Sequence, residues 1–265
     1  MISYGGPHFP HEQSPDEYKK LYPADSLVLA PNVCPGDSVR NVIRKEIQGY
    51  YAHCTAIDKC VGDLLKTLEK SGIDSNTIVL FTSDHGEMMG SHCYPPKMKQ
   101  LPFDESVHVP LLLRFPNAIA NKKGNRFETP VTTPDITATL LGLCSISLPT
   151  SMEGRDLTSV IRTGKDIDIA ALYMHPNPWG CKNFSEYRAV RTNRYTYIRS
   201  LKNGIYLFDD INDPFQMNNL AMKSEFAGLK NEMERKLQQE LLRIHDPFES
   251  AEYYLEKFTI DLKPY

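Results

Sequence analysis

The sequence predicts an α/β fold with a mostly parallel sheet flanked by helices, followed by a small antiparallel sheet with a helix. Two continuous apolar runs, residues 77–81 and 109–115, alternate with amphipathic helical patterns. Short apolar runs of this kind are typical of strands buried on both faces of a parallel sheet. After about residue 165 the pattern changes to antiparallel strands. We therefore expect an α/β domain over residues 1–165 and a small α+β subdomain over residues 166–265.

Two helices are predicted beside the strands of the first domain. The longer one covers residues 39–70, with Asp37 or Ser38 as its N-cap and Gly72 as its end. A second helix begins at Thr133, where a proline and an aspartate occupy the first turn. The apolar face of the longer helix is formed by residues at helical spacing, namely Ile57, Val61, Leu64, Leu65 and Leu68.

The C-terminal subdomain is predicted from a hairpin and one amphipathic helix. Residues 187–199 and 204–209 have the composition of strands, and Lys202-Asn203-Gly204 between them is a strong hairpin signal. The helix that follows has its apolar residues on one face, namely Phe226, Leu229, Met233, Leu237 and Leu241. Together these patterns predict a small antiparallel sheet covered by a helix.

Composition and charge exclude several classes of function. The chain has 265 residues, of which 41% are hydrophobic and 24% charged, as in ordinary globular proteins. A formal net charge of -3 does not favour binding to nucleic acid. The apolar runs are too short to span a membrane. The first residues have neither the basic nor the apolar region of a signal peptide, and they resemble the end of a strand, which predicts a portion of a longer protein.

The six cysteines, at positions 34, 54, 60, 93, 144 and 181, do not define a metal site. No pair has C-x-x-C spacing, so a zinc knuckle or a thioredoxin-like motif is not expected. Their number permits disulfides without requiring them, and the redox compartment stays open.

Asp84 and His85 directly follow the first apolar strand. Ligands bind at the carboxyl ends of strands in open α/β sheets, and a carboxylate beside an imidazole is a plausible half-site for a hard metal. Taken alone, the dipeptide is more often a turn cap followed by a hydrogen-bonded loop residue.

Basic residues in two loops are candidates for oxyanion binding. The loop after the metal candidates holds His92, Lys97 and Lys99, and a lysine facing a sulfate or phosphate ester would neutralise its charge. His8 lies just past the presumed first strand and could donate a proton to a leaving group. The alternative for each is a solvated surface side chain, which is the usual case.

In combination these segments resemble the sulfatase family of the alkaline phosphatase-like superfamily, in the family's order and along almost the whole chain. The matching segments are residues 2–4 with 7–10 (a strand and a P-H-x-P loop), 50–62 in the long helix, 77–89 (TIVLFTSDHGEMM), 99–110, 187–192, 206–213 and 218–220. The resemblance implies an alkaline phosphatase-like sheet and hydrolysis of sulfate esters. Residues 1–165 would then be the C-terminal portion of the catalytic domain.

The resemblance also implies roles for single residues. Asp84 and His85 would bind the metal, usually calcium and sometimes reported as magnesium, although many members have Asn in place of His85. Lys99 would bind the sulfate group, and His8 would contact the sulfate or protonate the leaving oxygen. Lys97 is a rival, because counting forward from His92 selects it, whereas counting back from the strand selects Lys99.

One part of the family pattern is missing. The family's nucleophile is a formylglycine made from Cys or Ser in a C-x-P-x-R motif, beside an Asp-Asp pair that completes the metal site. Neither precedes Pro7 and His8, so we expect an incomplete portion without the nucleophile. Cys93 begins a C-x-P-x-K sequence, but it lies in the lysine loop and is not expected to be the modified residue. The remaining cysteines are expected to be small core residues.

Two other functions remain open. One is a phosphoesterase or phosphonate monoester hydrolase of the same superfamily, and the other is an inactive fragment that binds oxyanions. The expected partner is a small-molecule or carbohydrate sulfate ester, while the particular substrate and the oligomeric state stay open. The localisation is also open, although proteins of the parent type are often periplasmic, secreted or lysosomal.

Overall fold

The computed structural model describes residues 1–116, 124–178 and 184–258. Its helices are α1 Asp16–Lys19, α2 Asp37–Lys70, α3 Asp104–Val107, α4 Thr133–Leu143, α5 Thr158–Thr163, α6 Ala227–Arg243 and α7 Ala251–Lys257. Its strands are β1 Val79–Thr82, β2 Leu111–Arg114, β3 Ala171–His175, β4 Tyr187–Arg191, β5 Tyr195–Ser200 and β6 Gly204–Asp209. Two compact units are present, Met1–Lys99 with Phe103–Pro116, and Gln100–Pro102 with Asn117–Tyr265. The predicted division at residue 165 stays a prediction.

Helix α2 is the longest element of the first unit. It follows Gly36, which has a φ of 108°, so Asp37 lies inside the first turn and neither predicted residue is the cap. Its end agrees with the prediction, because Gly72 has a φ of 70° in the left-handed region that glycine tolerates. The buried positions lie in its first half, at Ile43, Ile47, Gly49 and Ala52, whereas the predicted apolar face over residues 57–68 is only half-buried or exposed.

Strands β1 and β2 pair antiparallel, which corrects the expectation of a parallel, doubly buried pair. Val79 pairs with Arg114 and Thr82 with Leu111, so the intervening loop leaves and enters at the same end of the pair. A parallel pair needs a crossover that carries the chain back along the sheet, usually through a helix. Residues 83–110 hold only the four-residue α3, so β2 runs back beside β1. The α/β class itself is confirmed.

The second unit contains the predicted antiparallel sheet, with strand order β3-β4-β5-β6. The single strand predicted over residues 187–199 is two strands, β4 and β5, because Thr192 and Tyr195 close a turn between them. The predicted hairpin joins β5 to β6, and Gly204 has the positive φ of 84° that this turn requires. The apolar face of α6, including Met233 and Leu237, packs in one buried cluster with side chains of the sheet. The predicted small sheet with a covering helix is therefore confirmed.

Helix α4 has a capping box, and its N-cap is the residue before the predicted start at Thr133. Thr132 is the N-cap, and its backbone N–H and hydroxyl donate to Asp135 Oδ2 over 2.9 and 2.7 Å. The other oxygen of Asp135 accepts the backbone N–H of Arg155 at 2.7 Å. Because Asp135 is only 1% exposed, these bonds also satisfy a buried charge.

Three of the cysteines that were expected to be small core residues are exposed instead. Cys34 and Cys93 form a disulfide, and Cys54, Cys60 and Cys144 are free and exposed. Two of the exposed cysteines lie on α2, whose buried positions are nearer its start. Cys181 lies outside the described residues. None of the helices in the described ranges combines the length and apolar character that a membrane crossing needs.

Candidate functional site

The candidate metal residues lie immediately after β1, in the first unit. Asp84 Oδ1 accepts the backbone N–H of His85 at 3.0 Å and the hydroxyl of Ser83 at 3.3 Å. Its Oδ2 lies 3.6 Å from His85 Nε2, so the two side chains converge. Burial favours the neutral acid, but the charge of His85 and these hydrogen bonds outweigh it and hold the pKa of Asp84 below its usual value. The carboxylate is therefore ionised at neutral pH.

The ring of His85 is oriented by the backbone beside it. His85 Nδ1 lies 2.8 Å from the carbonyl oxygen of Gly86, which can only accept, so Nδ1 carries the proton. This leaves Nε2 on the side of Asp84, the position that the ligand nitrogen of a metal-binding histidine would take. Gly86 itself is required by a close approach, because a Cβ there would lie 2.0 Å from the Glu105 carbonyl oxygen. The backbone N–H of Gly86 donates to Ser106 O over 2.7 Å.

His8 and Lys99 form the second part of the site. His8 Nδ1 donates to the Phe9 carbonyl at 2.7 Å, so its Nε2 is free to accept the Lys99 ammonium at 2.5 Å. Lys99 Nζ also lies 4.7 Å from the centroid of the Phe9 ring. The His8 and His85 rings have centroids 6.5 Å apart. The structure thus brings His8, Lys99 and the Asp84–His85 pair into one cluster.

Lys97, the rival lysine, occupies a different position. Its Nζ lies 3.8 Å from Glu46 Oε1, and its side chain is 43% exposed. Lys97 is therefore partly solvated and also paired with Glu46. Lys97 Nζ lies 5.3 Å from the Phe9 ring centroid, so it approaches the same loop without the hydrogen bond to His8 that Lys99 makes.

His92 contacts side chains within the lysine loop and from residue 32. Its ring stacks on Phe103 with centroids 4.0 Å apart, and its Nε2 lies 3.2 Å from Asn32 Nδ2. Asn32 also donates to Glu105 Oε1 at 2.6 Å. Together with the Cys34–Cys93 disulfide, these contacts tie residues 32–34 to the loop that leads to Lys99.

A buried cluster next to the site was not predicted from the sequence. His11 is fully buried, with Nδ1 at 2.6 Å from Glu46 Oε2 and Nε2 at 3.4 Å from Glu87 Oε2. The available signal was Gly49, a glycine inside a long helix, which often marks close backbone approach. A Cβ at Gly49 would lie 2.2 Å from the His11 carbonyl oxygen.

The described residues fit only part of a metal site. An ionised carboxylate and an imidazole with an available Nε2 are suitable ligands for a divalent cation. Calcium takes about six or more ligands. In the described ranges, no group of three or more His, Cys, Asp or Glu side chains could hold a metal ion. Asp84 and His85 alone are therefore too few ligands for a calcium ion.

Two family models match this chain. The one described as Sulfatase matches residues 1–146, and the one described as N-sulphoglucosamine sulphohydrolase, C-terminal matches residues 91–243. The first match covers more than half of the 265 residues. The chain therefore belongs to the sulfatase family.

Curated relatives match nearly the whole chain. An ulvan-active sulfatase of Formosa agariphila is 44% identical over 262 residues, which are 98% of this chain and 50% of that protein. An endo-4-O-sulfatase of Bacteroides thetaiotaomicron is 33% identical, over 100% of this chain and 54% of that protein. The chain thus spans about half the length of the curated relatives it matches.

Solved structures share the fold. A candidate sulfatase, yidJ of Bacteroides fragilis, aligns with a TM-score of 0.77 and 32% identity, over 94% of this chain and 54% of that one. A structure solved in complex with its substrate, D-glucosamine-2-N,6-O-disulfate, aligns with a TM-score of 0.73 and 25% identity, over 81% of this chain and 44% of that one. These likenesses support the expected alkaline phosphatase-like α/β fold.

Proposed function

We propose that this chain is part of a sulfatase that hydrolyses sulfate esters of carbohydrates. The observation that carries the proposal is the contact of His8 with Lys99 at 2.5 Å, beside the converging Asp84 and His85. A cation, an imidazole and a metal half-site in one cluster suit an anionic ester. Membership of the sulfatase family favours sulfate as that ester.

Lys99 and His8 would act on opposite parts of the ester group. The Lys99 ammonium would pair with the sulfate oxygens, where negative charge develops during cleavage. The Lys99 ammonium donates a hydrogen bond to His8 Nε2 and keeps its own proton, so its charge stays beside the sulfate. His8, once protonated at Nε2 from solvent, would give that proton to the oxygen of the leaving alcohol. The hydrogen bond from Nδ1 to Phe9 keeps the ring in this orientation.

Asp84 and His85 would hold a divalent cation, calcium or magnesium, together with ligands beyond those described. Such a cation would withdraw electron density from the sulfate oxygens when bound. In this family the nucleophile is a formylglycine, and the sequence contains neither a C-x-P-x-R nor an S-x-P-x-R motif. Cys93 does not take this role, because its sulfur is bonded to Cys34.

The names of two relatives support the proposed substrate class. One relative is named for activity on ulvan, and one similar structure holds a disulfated glucosamine as its substrate. We extend the sulfated carbohydrate to this chain as a proposal. The Cys34–Cys93 disulfide further favours an oxidising compartment, such as the periplasm or the cell exterior.

Binding of inorganic sulfate tests the proposed site on the chain itself. Calorimetric titration of sulfate should detect binding to the wild type, and Lys99→Ala should weaken it by about a hundredfold, because the charge facing the anion is lost. Lys97→Ala is the matched control and should weaken it by less than about threefold. Equal effects of the two substitutions would show that Lys99 is not the sulfate ligand.

A paired assay separates the remaining alternatives. Aryl sulfate turnover by this chain should stay at background even with calcium, and inorganic phosphate should bind more weakly than sulfate. A phosphonate monoester hydrolase of Agrobacterium radiobacter shares the fold, with a TM-score of 0.66 at 24% identity, over 78% of this chain and 43% of that one. Preference for phosphate would favour that alternative. Sulfate turnover abolished by Cys93→Ala would instead identify Cys93 as the nucleophile.

A further inference from the structure

We propose that His11 is an imidazolium that positions the candidate oxyanion site, by joining the loop that carries His8 to helix α2 and to the segment after His85. The part of this inference that concerns sulfate rests on the proposed function. The charge state of His11 does not, since it follows from the contacts of its own ring.

The two ring nitrogens of His11 both face carboxylate oxygens. Nδ1 lies 2.6 Å from Glu46 Oε2, and Nε2 lies 3.4 Å from Glu87 Oε2. A neutral imidazole donates from one nitrogen and presents a lone pair on the other. With both carboxylates ionised, that lone pair would face an oxygen lone pair. Only the doubly protonated ring donates to Glu46 and Glu87 at once.

Burial makes this charge necessary for the neighbouring carboxylates. Glu87 is 7% exposed, and its Oε1 has no hydrogen-bond partner among the described residues. An ionised carboxylate is costly to bury unless a positive charge lies beside it. His11 provides that charge to Glu87, while Lys97 Nζ lies 3.8 Å from Glu46 Oε1. The exposed Lys97 adds only a solvent-screened charge, so His11 is the main cation for these carboxylates.

The other titratable group against the ring is Tyr50 of α2, whose ring meets that of His11 edge-on with centroids 5.8 Å apart. Burial raises the pKa of Tyr50 to about 12, so it stays neutral and adds no charge. For His11, burial lowers the pKa, but the hydrogen bonds and charges of Glu87 and Glu46 outweigh burial and raise it above its usual value. A raised pKa of His11 agrees with the two carboxylate contacts of its ring, which require both nitrogens to be protonated.

The cluster connects every segment that carries a site candidate. His11 follows His8 on the same loop, Glu87 follows His85, and Lys97 precedes Lys99. Gly49 allows the His11 backbone to lie directly on α2, since any Cβ there would clash with it. We therefore assign His11 a positioning role. Its protonation fixes the distance between the loop of His8 and the segment of His85.

The raised pKa sets the direction of the pH dependence. Because the pKa of His11 is higher in the folded than in the unfolded chain, its stabilising contribution is complete below the unfolded value of about 6.5. The contribution is lost as the pH rises through the folded value. Above it, the lone pair of His11 repels a carboxylate, and the loop of His8 is released from its position.

Nuclear magnetic resonance on histidine-labelled chain tests the charge state directly. His11→Gln assigns the ring signals, and at pH 7.5 the wild-type ring should carry protons on both nitrogens. Glu46→Gln keeps an acceptor for Nδ1 but removes a charge, so it should lower the titration midpoint of His11. A neutral His11 ring at pH 7.5, or a midpoint unchanged by Glu46→Gln, would overturn the proposal. If His11→Gln does not fold, the charge state is decided by whether Glu46→Gln lowers the titration midpoint of a histidine ring that is protonated on both nitrogens at pH 7.5.

Sulfate binding tests the positioning role. At pH 7, His11→Gln should weaken sulfate binding by about tenfold, as expected for the loss of one charge-assisted contact behind the site. As the pH rises through the titration midpoint of His11, the sulfate affinity of the wild type should fall. This fall should be absent in His11→Gln.

His108→Gln is the matched control, because His108 directly follows α3 and its side chain is 64% exposed. It should change neither the sulfate affinity nor its pH dependence. Identical pH profiles for wild type and His11→Gln would refute the role. Absence of wild-type binding would refute the proposed function and leave the resonance test of His11 valid.

Discussion

The two units bury charged side chains in different ways. In the second unit, Arg188 is 1% exposed. Its guanidinium pairs with the Asp246 carboxylate and donates a hydrogen bond to the Tyr254 hydroxyl at 3.0 Å. In the first unit, His11 is fully buried between two carboxylates, one of which has an oxygen without a hydrogen-bond partner in the described ranges. A fully satisfied network stabilises a fold, whereas an incompletely satisfied one is typical of a functional region.

The second unit also has the more extensive apolar core. The core of the second unit joins β3, β4, β5, β6 and α6 in one buried cluster. In the first unit the cluster around Val33, Ile43 and Ile47 is small, and Leu112 of β2 is 63% exposed. Residues that bind ligands are often placed in regions of lower local stability. The difference predicts that substitutions in the second unit act on folding alone, while those in the first act on sulfate binding as well.

The largest effect is expected in the second unit, on replacement of Arg188. Arg188→Ala leaves Asp246 buried without its cation, and breaking a buried pair in this way costs about 3–5 kcal/mol. Burial opposes ionisation of Asp246, but the hydrogen bonds from Arg188 and Tyr254 outweigh it and hold the pKa of this carboxyl below its usual value, so the intact pair is ionised. Urea unfolding followed by circular dichroism measures the loss.

Arg199→Ala is the control for that comparison. Arg199 also pairs with a carboxylate, Glu234, but its side chain is 39% exposed, and such pairs contribute about 1 kcal/mol or less. If Arg188→Ala and Arg199→Ala destabilised the chain equally, the network of the second unit would not have the structural role described above.

The disulfide is expected to contribute nearly as much in the first unit. Cys34 and Cys93 are separated by 59 residues, and the chain-entropy model gives about 4 kcal/mol for a loop of this length. Replacement of both cysteines by serine should therefore lower the unfolding midpoint, and it should also weaken sulfate binding, because Cys93 lies in the loop that leads to Lys99. Replacement of the free, exposed Cys60 should change neither. An unchanged unfolding midpoint after reduction would show that the Cys34–Cys93 disulfide does not stabilise the first unit.

These contacts mark the limit of what the sequence could predict. Asp84 and His85 are adjacent and follow a strand, so a local pattern was sufficient to find them. Lys99 was found because the residues after it lead directly into β2. The partners of His11 lie 35 and 76 positions away, and no local pattern connects them. The pairing of Cys34 with Cys93 and the antiparallel direction of β2 depend on the path of a loop, which composition does not determine.

A smaller effect of known sign is expected at Gly49. A Cβ at this position would lie 2.2 Å from the His11 carbonyl oxygen and 2.9 Å from the His11 Cβ, so Gly49→Ala must displace the loop of His8. Overpacking costs about 1–3 kcal/mol, and the better helix propensity of alanine returns about 1 kcal/mol. Net destabilisation together with weaker sulfate binding is expected in urea unfolding and calorimetry. An increase in stability would show that α2 and the loop are not in close contact.

Gly228 in α6 gives the matched substitution in the second unit, with the opposite sign. A Cβ there would have no heavy atom within 4 Å, so Gly228→Ala adds no clash. Alanine restricts the unfolded chain and has the higher helix propensity, which favours folding by up to about 1 kcal/mol. Gly228 is the second residue of α6, and helix propensity has a smaller effect in the first turn than in the helix interior. The gain in the free energy of unfolding should therefore be about 0.5 kcal/mol. Urea unfolding should show a small rise in the midpoint with unchanged sulfate affinity. A fall in the midpoint would contradict the open space that the structure places around Gly228.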